Sequence, residues 1–216
     1  MPSEESSQPA NVGEAKLAAI EYYESGAYFI DLAAVTDVAI EYLEAGVPAE
    51  SFDAAAKPAI VFDVDDTLLS TWEVIRADDF GRVIPGDCVS LPAGPCGWRE
   101  WDLQARAPAL APSLELYERA QELGITIFLI TGRDEGQRDA TQRNLEAIGY
   151  TGWAALIMTQ PGAHYDSAAD YKAPHREAIE AMGYTIVANV GDQPSDLAGG
   201  YALRTFQLPN PFYRIP

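Results

Sequence analysis

At residues 59–71 the sequence reads AIVFDVDDTLLST, where four apolar residues run straight into Asp63, Asp65 and Asp66, with Thr67 behind them. Like charges so close raise the free energy of each ionised carboxylate, so the cluster calls for a counter-charge. Carboxylate oxygens are hard donors, better matched to Mg²⁺ than to zinc. Asp63 and Asp65 stand two apart where an apolar run ends and the chain turns, so both can face one substrate. One can then act as nucleophile and the other as acid/base, provided their surroundings separate their pKa values.

Other segments carry groups that suit the same chemistry. LITGR ends in Thr131, Gly132 and Arg133. These offer a hydroxyl, backbone N–H groups near a helix start that can take an oxyanion, and a guanidinium. Arg133 suits either of two tasks, pairing with an acid of the cluster or helping to form the pocket. DYKAPH contributes the compact charge of Lys172, and VGDQPSD contributes Asp192 and Asp196. A cation, a lysine and backbone donors around a carboxylate nucleophile form an electrostatic cradle for phosphoryl transfer. Asp66, Asp134 and Asp196, taken singly, also fit the humbler role of loop ends or helix caps.

These groups meet only if the elements between them bring them together. Short apolar runs at 59–62, 125–130, 154–158, 185–190 and 202–206 read as strands. Helices lie between them: one from Pro112 to Gly124, one from the capping-box pair Asp134 and Gln137 to Gly149, and one from about Pro174 to Met182. This alternation predicts a three-layer, doubly wound, Rossmann-like α/β fold with a mostly parallel sheet. Ligands of such sheets bind beyond the carboxyl ends of the strands, which is where every group named above falls. Residues 14–25 and 28–45 form an N-terminal helical pair, with Leu32, Val35, Ala39 and Leu43 on one face of the second helix. The pair reads as packing, without chemistry of its own. The expected organisation is a flexible lead-in at 1–13 and one domain over 14–216, with the helical pair within 14–50.

The stretch 72–110 is too long for a plain crossover and reads as a cap inserted after the first strand. It holds Trp72, Phe80, Trp98 and Trp101. Trp72 and Trp98 either stack on a ring of the substrate or fill a small core within the insertion. Cys88 and Cys96 lie in the same stretch, as a disulfide or as two thiols, and form a weak metal candidate. His164 and His175 match none of the segments above.

Composition narrows the partners. Fourteen basic residues against 33 acidic ones give a net charge of −19 in 216 residues. So acidic a chain suits neither nucleic acid polymers nor anionic membranes. No apolar run is long enough for a transmembrane helix. The first dozen residues lack the layout of a signal peptide, although the acidity and the cysteine pair favour an exported protein given in mature or truncated form.

FDVDDTLLS, LITGR, YK and NVGDQPSDL, in that order, resemble the four motifs of the haloacid dehalogenase (HAD) superfamily of phosphatases. TGRDEGQRDATQRNLEAIGY, YKAPHREAIEAMGY, RTFQLPNPFYRIP and the early YYESGAYFIDLAAVTDVAIEYLEAG extend the likeness from about residue 20 to the end. They resemble the acid phosphatase branch that holds plant vegetative storage proteins and bacterial class B- and C-like enzymes.

The resemblance implies a small phosphomonoester substrate, nucleotides among the options, and roles for the residues. Asp63 becomes an aspartyl-phosphate, and Asp65 protonates the leaving alcohol and then activates water. Thr131 and Lys172 hold phosphoryl oxygens. Mg²⁺ is held by Asp63, the main-chain carbonyl of Asp65 and Asp192, with Asp196 acting through a water or from behind. Asp66 and Thr67 orient the loop. The cap region around Cys88 matches the family pattern least. A response-regulator receiver domain carries similar residues in a different order. The remaining alternative is a non-catalytic storage or phosphate-ester-binding protein of the same fold, since fold alone does not guarantee activity.

Overall fold

The computed structural model describes residues 10–46, 57–81 and 97–216. Lys57–Phe62 forms β1, exposed at its first residue and fully buried over its last four. It has no polar face, as expected of a strand covered on both sides. β2 (Thr126–Asp134), β3 (Ala155–Thr159), β4 (Tyr184–Gly191) and β5 (Arg204–Gln207) complete the sheet among the described residues. All pairings are parallel and the order is β3-β2-β1-β4-β5. The chain moves outward from β1 through β2 to β3, then crosses back to place β4 on the other side. The switch point therefore lies between β1 and β4, where the connections diverge and leave a crevice.

The two faces of the sheet are covered separately, giving three layers. Ile60, Phe62, Ile127 and Leu129 pack with Ala39 and Leu43 of α2 (Ala27–Glu44), Leu116 and Tyr117 of α5 (Ala111–Glu122) and Leu145 of α6 (Arg138–Ala147). Ala59, Val61, Phe128 and Ile130 point the other way, onto Tyr171 and Ile179 of α7 (Ala168–Ala181). Period-2 alternation along β1 and β2 thus feeds two cores. A third cluster joins Tyr28 and Leu32 of α2 to Ile75 of α3 (Trp72–Ala77), Trp98 of α4 (Trp98–Leu103) and Phe212.

Several boundaries differ from the sequence expectation for identifiable reasons. α1 (Val12–Glu24) begins at the cap Asn11, whose side chain accepts the Glu14 N–H, so the last two residues of the expected lead-in are helical. Residues 1–9 lie outside the described residues. β2 runs on to Asp134, and its register against β3 shifts between Ile130 and Asp134, so Thr131–Arg133 form an irregular strand end. The Asp134–Gln137 capping box is present and opens a short 3-10 turn, Glu135–Gln137, ahead of α6.

The largest correction concerns α7. It starts at Ala168, not near Pro174, because Ser167 and Asp170 form a complete capping box. Pro174 therefore sits inside the helix, where it removes a backbone donor. The earlier start puts Lys172 on the helix itself rather than ahead of it. Of the 72–110 insertion, residues 82–96 lie outside the described residues, and with them the question of Cys88 and Cys96.

The loop after β4 is tied down from beneath. α8 (Pro194–Leu197) follows β4, and the fully buried Arg176 of α7 donates to the carbonyls of Asp196 (2.8 Å), Gly200 (2.9 Å) and Ala198. Asn189 of β4 adds a second donor to the Asp196 carbonyl, at 3.1 Å. Replacing Arg176 with Met keeps the apolar stem and removes the side-chain donor from the Ala198 and Gly200 carbonyls, while the Asp196 carbonyl keeps Asn189. Urea denaturation is expected to show a loss of about 1–3 kcal/mol, the scale of hydrogen bonds from a charged donor. Arg176→Lys is expected not to restore it, because a single ammonium cannot span the fork.

Candidate active site at the switch point

The loop leaving β1 is shaped by its own hydrogen bonds. Asp63 still pairs with β4 through its N–H to the Val190 carbonyl, at 3.0 Å. The Val64 carbonyl then accepts from Leu68 and Leu69, both at 2.9 Å, which closes a tight turn. Asp66 adopts a left-handed conformation (φ 52°), which Asp tolerates better than most residues. Its carboxylate accepts the Thr71 N–H at 2.9 Å, the Thr71 hydroxyl, and the hydroxyl of Tyr213. Burial pushes Asp66 up to about 6 despite these donors. Asp66 is therefore a staple for the loop, as expected, and its donors hold it away from the acids that face the crevice.

Asp63, Asp192 and Asp196 converge from the ends of β1 and β4. Each is buried, and one oxygen from each lies within 4.8 Å of the others. Lys172 reaches up from α7, donating to Asp63 Oδ1 and to Asp196 Oδ1, the latter at 2.6 Å. Burial works against the charge of Lys172, but Asp196 and Asp63 outweigh it and hold its pKa above the usual lysine value. Burial likewise pushes Asp63 up to about 7, with Lys172 opposing and Asp196 and Asp65 reinforcing the rise. Asp192 is raised well above an ordinary carboxylate, by burial first and then by Asp196 and Asp63. Three buried carboxylates thus face one ammonium.

The oxygens are not equally committed. Asp196 spends one on Lys172 and the other on the Gln193 N–H (2.9 Å), which suits it to stand behind a metal. Gly191 permits this approach, since a Cβ there would lie 2.6 Å from that of Asp196. Asp192 Oδ2 takes two amide donors, Gln193 Nε2 and Asn210 Nδ2, both at 2.6 Å. That leaves Asp63 Oδ2 and Asp192 Oδ1, which share the Thr67 hydroxyl at 3.2 and 3.5 Å. One hydroxyl proton cannot serve both. Two under-supplied carboxylate oxygens in a buried, all-oxygen, net negative setting fit a hard divalent cation.

Asp65 is separate from this group. Arg133 grips it through Nη2 at 2.6 Å and Nε at 3.2 Å. Arg133 also meets Asp102 of α4 at 3.0 Å and the Thr141 hydroxyl at 3.1 Å. Its pKa lies above the usual arginine value because Asp102 and Asp65 outweigh the effect of burial. Both of its expected tasks are therefore combined, since it pairs with an acid and lines the cavity.

The cavity over these groups measures about 600 Å³. Asp63, Asp65, Gly132, Arg133, Lys172 and Asp192 all reach it, as do Asp196 and Trp98. Thr131 does not line it: the residue is fully buried, and its hydroxyl accepts the Arg133 N–H at 3.2 Å. Trp72 is also elsewhere, stacked on Tyr23 with centroids 3.9 Å apart and an 8° tilt. The α1–α2 pair offers it a flat aromatic partner, so it serves packing. Trp98 lies on the wall with its edge-to-face partner Tyr213. Both histidines matched no motif, yet His164 lines the cavity while His175 packs on Tyr171. Asp102, Gln193, Asn210 and Tyr213 were not picked out from the sequence. Gln193 stands beside Asp192 within VGDQPSD, Asp102 lies in no spacing pattern with the acids, and only the likeness of RTFQLPNPFYRIP to a family hinted at Asn210 and Tyr213.

Comparison with known proteins gives a consistent picture. The family described as HAD superfamily, subfamily IIIB (acid phosphatase), matches residues 5–216. Acid phosphatase 1 of Solanum lycopersicum is 36% identical over 198 residues, covering 90% of this chain and 72% of its own length. Vegetative storage protein 1 of Arabidopsis thaliana is 35% identical over 158 residues, 72% of this chain and 55% of that protein, so the chain spans about half of this relative. The class C acid phosphatase of Bacillus anthracis shares the fold with a TM-score of 0.69 at 22% identity, covering 94% of this chain and 86% of that one.

The raised carboxylates make metal-free stability depend on pH. Between the ordinary Asp value of 3.8 and about 7, the folded chain holds a proton on Asp63 that the unfolded chain has lost. The penalty for ionising Asp63 is absent below that window and complete above it, so stability falls as pH rises through it. Urea titrations in a chelator are expected to give a higher midpoint at pH 5 than at pH 7.5. Asp63→Asn is expected to shrink that difference, and an equal slope in both proteins would contradict it.

Proposed function

The chain belongs to the acid phosphatases of HAD subfamily IIIB, and from that premise we propose a Mg²⁺-dependent phosphomonoesterase that works through an aspartyl-phosphate on Asp63. The observation that carries this reading is the convergence of Asp63, Lys172, Asp192 and Asp196 at the β1/β4 switch point, beneath one cavity. The Asp63 carboxylate, the main-chain carbonyl of Asp65 and Asp192 would hold Mg²⁺, with Asp196 behind them. When bound, the ion supplies positive charge against the phosphoryl oxygens.

The chain's own residues do the rest. Lys172 offsets part of the charge on Asp63 and offers its ammonium to a phosphoryl oxygen. Gly132 lines the cavity, where its N–H would be a further donor, and Thr131 supports that strand end. The Asp63 oxygen forms a bond to phosphorus as the bond to the ester oxygen breaks. Asp65, held by Arg133, gives its proton to the departing alcohol. It then takes a proton from the water that attacks phosphorus, which releases phosphate and restores Asp63.

Small phosphate esters are the substrate class, and a cavity of about 600 Å³ accommodates a nucleoside monophosphate. Trp98 is the aromatic wall on which a base would stack. The net charge of −19 and the family likeness also support an exported protein. A storage role remains the second reading, favoured by the 35% identity to a vegetative storage protein.

Hydrolysis of an aryl phosphate with and without Mg²⁺ separates the two readings. Activity is expected from acidic to neutral pH, to be abolished by chelation and to fall at least about a thousandfold in Asp63→Asn. An inactive wild type would favour storage. In a substrate series, Trp98→Ala is expected to raise KM for nucleoside monophosphates and to leave glycerol phosphate unchanged. Equal effects on both would remove the stacking role.

A further inference from the structure

The segment 208–216 contributes Tyr213, Ile215 and Pro216 to the cavity lining and contacts the β1 loop, the end of β4 and the start of α7. Leu208 N–H donates to the Gly191 carbonyl at 2.9 Å, extending the β5 pairing. Asn210 then reaches Asp192, and Phe212 buries itself among Tyr23, Tyr28 and Trp72. Tyr213 bonds Asp66 of the β1 loop. Ile215 N–H donates to Gln193 Oε1 at 3.0 Å, and the Ile215 carbonyl accepts from the Ser195 hydroxyl at 3.0 Å. The Pro216 carbonyl takes the Ala168 N–H at the start of α7, the helix that carries Lys172.

We propose that Asn210 is a positioning residue for the cation site: it locks Asp192 in the rotamer that turns Oδ1 toward Asp63. This rests on the Mg²⁺ reading above. The orientation of the Asn210 amide is forced. Its Oδ1 accepts the Phe212 N–H at 2.9 Å, so Nδ2 must face outward, and it donates to Asp192 Oδ2 at 2.6 Å. Gln193 Nε2 donates to that same oxygen, and Gln193 Oε1 is itself fixed by the Ile215 N–H. Two oriented amides hold one oxygen, so the carboxylate cannot rotate without losing both. Its other oxygen has only the long contact to Thr67 and stays available. Neutral amide donors suit this task, since a cationic partner would weaken the carboxylate as a metal ligand. Outer partners of this kind tune affinity by about 10–100-fold.

The test is calorimetric titration of Mg²⁺ into chelator-treated protein, alongside thermal melts in chelator and KM for an aryl phosphate at saturating Mg²⁺. Wild type is expected to bind, and its failure to do so would overturn the metal reading itself. Asn210→Ala is expected to weaken Mg²⁺ binding about tenfold, with KM unchanged once the metal is saturating. Asn210→Ser guards against simple unfolding: its hydroxyl can still accept the Phe212 N–H but is too short to reach Asp192. The serine variant is expected to melt near wild type in chelator and to show the same weakened binding. Wild-type Mg²⁺ affinity in Asn210→Ser would overturn the inference while leaving the metal reading intact.

Discussion

Three carboxylates buried around one ammonium set the terms for the rest of this molecule. Asp63, Asp192 and Asp196 repel one another in a setting that screens charge poorly, and Lys172 neutralises only part of the sum. Such a cluster persists only where the surrounding structure over-determines it. The Asp66 staple, the Arg176 clamp and the segment 208–216 are all found at that point, and each acts on a loop that would otherwise relax away from its neighbours.

The sheet explains why so much charge can be gathered with so little distortion. β1 and β4 are adjacent and parallel, and their connections leave in opposite directions. The crevice between their ends therefore comes with the topology, and the acids need only be the first residues beyond each strand. The cost falls on the loops. Asp66 takes a left-handed backbone, Gly191 makes room for Asp196, and a proline is accepted inside α7 so that Lys172 can sit on a rigid helix.

Two carboxylate systems lie side by side and are kept distinct by their cations. Lys172 serves Asp63 and Asp196, while Arg133 serves Asp65 and Asp102. Asp63 and Asp65 are two residues apart in sequence but belong to different ion-pair networks. Separation of that kind lets two chemically identical side chains take different roles. Asp102 comes from the inserted segment after β1, so the insertion contributes to the site through its charge as well as through the wall residue Trp98.

By itself the sequence determined the strands, the acids at their ends and the family, because apolar runs ending in charge are local patterns with few alternative explanations. It also singled out Asp192 and Arg133, which follow such runs, and Lys172, whose place on a helix it did not show. Only tertiary structure decided which acids share a cation, that Thr131 lies behind the cavity wall, and that Trp72 packs on Tyr23 while Trp98 faces the cavity. It alone brought Asn210 to Asp192 and Asp102 to Arg133. These are contacts between side chains far apart in the chain, and no local periodicity encodes them. The start of α7 differs from the expectation because proline is a strong local signal for a helix start, and the Ser167–Asp170 capping box, which begins seven residues before Pro174, overrules it.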